Sequence, residues 1–266
     1  MEEQALYVRD GDAYVGTILT QGGWDPNVAN GGTVLALVGH CLDEVPTLVP
    51  MTLSRFTADL HRPVPIGKRL HIVPTVVREG KKLQVVQLQV LAGDVEHVRV
   101  TALRLRDDVV GDGMITSTTE SRPGDALVPP DQSRNLRDLT REVPGFLRAV
   151  DMRRARTVDG TAIGAWLRLE AAVVAGMPVS PSSRLAATFD YANLIGMDDH
   201  PQEVSMINPD VTAHVLRRPT GEWVAITGDT RFNTALGRGV SNAVLSDTDG
   251  VFAVASTSQL VQSRSA

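Results

Sequence analysis

Residues 51–106 decide the fold of this chain; they open MTLSRFTADLHRPVPIGKRL, pass through VVREGKKLQVVQLQVL and close on VEHVRVTALRL. Leu70, Ile72 and Val76 alternate with Arg69, His71 and Thr75, the two-residue period of a half-buried strand. The runs predict strands at about Thr52–His61, Arg69–Val77, Leu83–Leu91 and Glu96–Leu105, with turns at Glu79-Gly80-Lys81 and Gly93-Asp94. Pro74 cannot donate a ladder hydrogen bond, so the second strand needs a bulge or an edge there. Upstream, Ala13–Thr20 reads as a first strand, and QGGWDPNVANGG then breaks the pattern. From Gly32, Val34, Leu37, Val38, Cys41 and Val45 fall at helical spacing. Leu35 and Leu42 widen that stripe, and Pro46 and Pro50 end it. A long apolar helix followed by four meandering strands is an α+β arrangement, with a curved antiparallel sheet packed on the helix.

The plan returns near the C-terminus, in INPDVTAHVLRRPTGEWVAI, NTALGRGVSNAVLSDTDG and VFAVASTSQLV. Both copies end a strand-like run in Leu-x-Arg-Pro, at Leu60-His61-Arg62-Pro63 and Leu216-Arg217-Arg218-Pro219, and Gly67 or Gly221 follows. Two copies fit a fused pair of similar domains rather than a solenoid. The expected halves are residues 1–108 and 145–266, connected by 109–144, which is rich in Gly, Ser, Thr, Asp and Pro. In the second half, Phe146–Arg153 reads as a strand and Thr161–Gly176 as another with an irregular continuation. Ser180-Pro181 is a helix start. The helix SRLAATFDYANLIG follows, with Leu185, Phe189, Ala192 and Ile195 on one face and Gly196 as its stop. MDDHPQEVS reads as a loop before four closing strands.

Composition excludes several function classes. With 42% hydrophobic and 21% charged residues over 266 positions, the chain is globular. A net charge of −5 and no strong basic run argue against a nucleic-acid partner; DMRRAR reads as an exposed strand or turn. The single cysteine, Cys41, rules out an internal disulfide framework and a multi-thiolate zinc cluster. The six histidines show no metal spacing, so no metal or cofactor is expected. Ser180, Ser182 and Ser183 lack a nucleophile-elbow setting, and no phosphate loop or dinucleotide pattern occurs. The acidic start lacks the layout of a signal peptide and no apolar run reaches a membrane span, so the expected location is cytoplasmic.

Three groups can carry chemistry. Asp190 lies mid-way along the second helix, between Phe189 and Tyr191; burial there favours the protonated acid, as in a general base, whereas an exposed helix edge would leave it ordinary. Asn30-Gly31-Gly32 opens the first helix, where glycines let a ligand approach unpartnered backbone N–H groups, or simply make a tight turn. The polar set Asn208, Asp210, Thr212, Thr257 and Gln259 lies near the second sheet. Gln259 shares a strand face with Thr257 and Val261, either under Asp190 or toward solvent.

GGWDPNVANGGTVLAL, FTADLHRPVPIGKRLHIVPTVVREGKK, INPDVTAHVLRRPTGEWVAI and GVFAVASTSQL resemble, at matching places, the double-hotdog acyl-CoA thioesterases of the acyl-CoA thioesterase II type. The resemblance covers nearly all the chain except the connecting segment. It implies a tandem hotdog, each half a long helix wrapped by an antiparallel sheet, and an acyl-CoA substrate with hydrolysis of its thioester, a reaction of lipid metabolism. Asp190 in FDYANL falls on the family's catalytic Asp and Gln259 in VASTSQ on its Gln. The family's Thr falls on Asn208, with Thr212 the only nearby hydroxyl, which is where this chain departs from the pattern. Asp190 would activate a water or attack directly, Gln259 with Asn208 or Thr212 would orient that water, and Asn30, Gly31 and Gly32, with Trp24 upstream, would form the oxyanion and substrate-binding side. The first helix carries acids only at Asp43 and Glu44 near its end, which fits one site per chain. Two other readings stay open: an enoyl-CoA hydratase or dehydratase on the same fold, and a non-catalytic acyl-thioester or polyketide binder. Exposed sheet edges also make a homodimer an expectation.

Overall fold

The computed structural model describes residues 4–108, 127–160, 163–196 and 204–263. The first half contains β1 (Ala5–Asp10), β2 (Ala13–Gly16), α1 (Gly31–Glu44), β3 (Met51–Leu60), β4 (Arg69–Arg78), β5 (Leu83–Ala92) and β6 (Val95–Arg106). The second contains β7 (Arg134–Asn135), α2 (Phe146–Ala149), β8 (Val150–Arg156), β9 (Ile163–Leu169), β10 (Ala172–Val174) and α3 (Pro181–Phe189). After a 3-10 turn (Asp190–Gly196) come β11 (Val204–Ile207), β12 (Asp210–Val215), β13 (Val224–Asn233), β14 (Arg238–Asp247) and β15 (Gly250–Ser263).

All strands join one sheet, in the order β10-β1-β2-β4-β5-β6-β3-β12-β15-β14-β13-β9-β8-β7, with β11 added on β15. Outward from the central β3–β12 pair, one side runs β6, β5, β4, β2, β1 and the other β15, β14, β13, β9, β8. The internal repeat is therefore a pseudo-two-fold, and its axis passes the antiparallel pair Thr57–Thr212. The ends of the strand order meet: β9 leads into β10 through Glu170 and Ala171, whose N–H groups both donate to the Ala149 carbonyl (2.8 and 3.2 Å). The sheet thus curls around both helices, a tandem hotdog.

α1 is apolar on every side because it has no solvent face. Gly32 through Leu42 are all buried, among sheet, α3 and the 3-10 turn. Each fully buried leucine here, such as Leu35, Leu37 and Leu42, stabilises the fold by roughly 1.5–3 kcal/mol. The helices touch backbone to backbone: a Cβ on Gly39 would lie 2.4 Å from the Ser182 carbonyl oxygen. Ser183 Oγ also donates to the Ala36 carbonyl (2.9 Å). Residues of both halves form one apolar core, with Phe56 of β3 against Phe189 of α3 (5.6 Å between ring centroids). No helix among the described residues is long and apolar enough to cross a membrane.

The four strands of residues 51–106 lie where alternation predicts them. Pro74 is harmless because β2 reaches β4 only at Arg69 and Leu70, which leaves the rest of that edge unpaired. For the same reason Val76, expected inward, is exposed. Other expectations are corrected. β1 was not foreseen; it buries Ala5, Leu6 and Tyr7 in succession without alternation, and half its support is β10 from the other half. Phe146–Arg153 starts as one helical turn, so the strand begins at Val150. The run after Thr161 splits into β9 and β10, with 161–162 outside the described residues. α3 stops at Phe189 and continues to Gly196 as a 3-10 turn, because i, i+3 apolar spacing suits both helix types over so short a run. The MDDHPQEVS loop falls mainly on 197–203, and much of the connecting segment on 109–126, both outside the described residues; Val204 and Ser205 of that loop are already β11 on β15, so five strands rather than the expected four close the second half.

Candidate active site

Ser180 caps α3 through Ser183 N–H, Pro181 occupies its first turn, and the helix delivers Asp190 at its C-cap. Asp190 is therefore at a helix end rather than mid-helix, and it is buried, with 8% of its surface exposed. Its carboxylate lies flat against the start of α1: a Cβ on Gly31 would stand 2.6–2.8 Å from its three carboxylate atoms. Only glycine permits that approach. Asn208 Nδ2 donates to Asp190 Oδ1 (3.3 Å) and to its backbone carbonyl (3.0 Å), and the carboxylate faces the first-turn amides of α1, of which Gly32's favours its charge. Burial raises the Asp190 pKa above the ordinary carboxylate range, and the Asn208 and Gly32 donors oppose that without overcoming it. α1 has no acid in its own first turn, so the second half supplies the negative charge at its N-terminus.

The 3-10 turn after Asp190 packs on β13, β14 and β15. Gln259, on the inward face of β15, is 2% exposed. Its Nε2 donates to Ser241 Oγ (2.8 Å), which also pairs with Thr230 Oγ1 (2.7 Å). Gly239 faces Gln259 across the β14–β15 ladder, and a Cβ there would lie 2.6 Å from Gln259 Oε1. No hydrogen bond joins Gln259 to Asp190 among the described residues. Gln259 Oε1 and Asn208 Oδ1 are both buried acceptors without a partner among them. Whichever way the Gln259 amide is turned, Ser241 can satisfy only one of its ends.

Asn208 and Thr212 part company. Val211 and Ala213 of β12 point into the core, so Thr212 points to the opposite face, its hydroxyl 3.4 Å from that of Thr57. Asn208 touches Asp190; Thr212 is not brought to it. Asn30, the N-cap of α1, makes no side-chain cap bond; its Oδ1 accepts from the Tyr191 hydroxyl (2.7 Å). Trp24 is 53% exposed on the loop before α1. Tyr191, Ser241 and Phe146 also build the surroundings and were not singled out from sequence. Tyr191 beside Asp190 in FDYANL was the available signal, but an aromatic neighbour looks the same whether it packs or donates.

The pseudo-two-fold explains why the other pole differs. The strand register that superimposes Thr57 on Thr212 and Thr101 on Ser256 also carries Arg104 onto Gln259 and Gln84 onto Gly239. Arg104 is buried and donates to the Leu42 and Val45 carbonyls at the end of α1 and to Gln84 Oε1. The N-terminus of α3 is filled by Asp43, whose carboxylate accepts from Ser182 N–H (2.8 Å) and Oγ (2.6 Å). A cleft of about 210 Å³ lies there, with Leu53 where Asn208 stands at the Asp190 pole. Asp43 is satisfied by Ser182, and the Gln84 amide by Arg104, Glu79 and the Pro46 carbonyl, whereas the Asp190 pole keeps a desolvated acid beside unpaired acceptors.

A family model described as the acyl-CoA thioesterase C-terminal domain matches residues 123–262, and one described as the N-terminal domain matches residues 20–105. Among solved structures, a Thermobifida fusca protein assigned as a thioesterase II is 18% identical, with TM-score 0.67, covering 96% of this chain and 95% of that one. An acyl-CoA thioesterase II from Mycobacterium marinum is 13% identical, with TM-score 0.63, covering 96% and 95%. A hot dog fold protein of unknown function from Alicyclobacillus acidocaldarius is 14% identical, with TM-score 0.68, covering 97% and 96%. At these identities the structures speak for the fold alone. No curated protein matches the chain.

Proposed function

The chain belongs to the acyl-CoA thioesterase family, and from that premise we propose that it hydrolyses an acyl-CoA thioester to a carboxylic acid and free CoA, with Asp190 as general base. The observation that carries this reading is a buried, destabilised carboxylate held against the open N-terminus of α1. Asp190 removes a proton from water as the water oxygen bonds to the thioester carbonyl carbon. The carbonyl oxygen takes the negative charge. When the tetrahedral adduct collapses, the C–S bond breaks and the CoA sulfur leaves with the proton that Asp190 had taken. The Gly31 or Gly32 N–H at the start of α1 donates to the developing oxyanion.

Asn208 and Gln259 suit the placing of water and substrate, since each presents a buried amide end without a partner. A buried polar group left unpaired costs roughly 1–3 kcal/mol, which a water or substrate donor can offset. In this reading Asn208 stands in for the family's Thr, through its amide rather than a hydroxyl, and Thr212 has no part.

The test is thiol release by the purified protein against acyl-CoAs of graded chain length. Hydrolysis is expected for part of the series, and Asp190→Asn should lose it by about 100-fold or more while still binding acyl-CoA. Background rates across the whole panel, or an Asn variant as active as the parent, would remove the proposal.

A further inference from the structure

The N-terminus of α1 ought to be closed by its own cap. Asn is among the best N-cap residues, and its side-chain oxygen normally accepts from the N–H two or three positions on. For Asn30 those are Gly32 and Thr33. The same chain shows the ordinary outcome at α3, where Ser180 Oγ accepts from Ser183 N–H (3.2 Å). At α1 this does not happen. The Asn30 Oδ1 is drawn aside by the Tyr191 hydroxyl at 2.7 Å, and the Asp190 carboxylate lies against this turn, where a Cβ on Gly31 would stand 2.6–2.8 Å from it.

Tyr191 is held where it can do this. Its ring stacks on Phe146 (6.2 Å between centroids, planes 19° apart) and lies flush on Gly32, where a Cβ would meet it at 2.8 Å. Phe146 is fixed in turn by its N–H on the Gln21 carbonyl (3.0 Å), which ties the second half to the loop before α1. Tyr191 follows Asp190 directly, so the residue that removes the competing cap and the residue that uses the freed amide move as one piece.

We propose that Tyr191 is a positioning residue: by holding Asn30 off the first turn of α1, it leaves the amides of that turn, Gly32's among them, open to the Asp190 carboxylate. The proposal adds a residue to the thioesterase site and rests on that reading only where activity is measured. The influences on the Asp190 carboxyl are burial, the Asn208 amide and the Gly32 amide. Its titratable neighbour is Tyr191, whose phenol is itself pushed up by burial and then by Asp190.

The experiment is a 13C NMR titration of the Asp190 carboxyl in the intact protein, without substrate, for the parent and three variants. Tyr191→Phe keeps the ring stack and frees Asn30 to take the Gly32 amide. Asp190 then loses a donor, and its midpoint should rise by about one pH unit. Adding Asn30→Ala to that variant removes the competitor and should return the midpoint toward the parent value, which a packing defect would not do. Asn30→Ser, too short for Tyr191 but able to cap as Ser180 does, should raise the midpoint by itself and keeps the test alive if Tyr191→Phe does not fold. In assays, the acid limb of kcat should move by the same amount with KM unchanged. Unmoved midpoints in well-folded Tyr191→Phe and Asn30→Ser proteins would overturn the role given to Tyr191. Midpoints that move as stated in a protein without thioesterase activity would uphold it and sink the functional reading instead.

Discussion

The Asp190 carboxylate, with 8% of the residue's surface exposed, is buried among neutral amides, with no cation beside it among the described residues to offset its charge. Its raised pKa has two consequences of defined sign. As a base, Asp190 works when ionised, so activity should climb with pH through a limb lying above the usual carboxylate range near 3.9. As a structural element, it costs the folded state nothing while protonated and destabilises it once ionised. That cost appears as pH rises from the unfolded-state pKa to the folded one, and is constant above it. Melting temperatures of the parent and Asp190→Asn between pH 4 and 8 check this: the gap in favour of Asn should open with rising pH. A gap that opens toward acid would mean the charge is stabilised where it sits. The glycine beside it belongs to the same account, because any side chain at Gly31 would occupy the carboxylate's place.

At the scale of elements, α1 and α3 are held closer than side chains allow. In an ordinary helix, Gly→Ala stabilises by roughly 0.5–1 kcal/mol. At Gly39 the new Cβ would fall 2.4 Å from the Ser182 carbonyl oxygen and 2.6 Å from its carbon, and backbone cannot swing aside. The clash should win. Gly39→Ala is expected to lose about 1–3 kcal/mol in urea unfolding, and an alanine variant as stable as the parent would show that the helices can part freely. The repeated Leu-x-Arg-Pro motif is explained at this scale too. In the first copy the motif's own Arg62 donates to the Glu96 carbonyl (2.9 Å), whereas in the second it is the x residue, Arg217, that grips the buried Asp247 of β14 with two bonds (2.6 and 2.9 Å). The motif ties the chain leaving β3 or β12 to a neighbouring hairpin, so its recurrence reports on architecture and not on catalysis.

For the whole molecule, the two halves share one core, and one sheet crosses the seam at β3 and β12. Neither half can bury its helix without the other. Equilibrium unfolding in urea should therefore be a single transition, with far-UV circular dichroism and the fluorescence of Trp166 and Trp223 giving the same midpoint. Two separated midpoints would show that the halves are independent. The pseudo-two-fold also makes the chain's asymmetry chemical: equivalent positions hold Gln259 and Arg104, or Asn208 and Leu53, so one pole keeps unpaired polar groups and the other is closed by its own ion pair.

How much of this was legible beforehand depended on whether the signal was local. Strand alternation, the apolar stripe from Val34 to Val45, and the Gly and Pro punctuation place β3 to β6 and α1 from neighbouring residues alone, and the repeated motif makes the fold a duplication. The resemblance pointed to Asp190 and Gln259. Pairings between distant segments set the rest. β1 exists because β10 comes to its side, Asn208 reaches Asp190 from the break between β11 and β12 while Thr212 within β12 faces away, and Asp190 is desolvated because another half's helix begins against it. The roles of Tyr191 and Asn30 arise from a hydroxyl and an amide 161 residues apart in the chain. Such contacts leave no periodicity to read, because their energy depends on distance in space and not on spacing along the backbone.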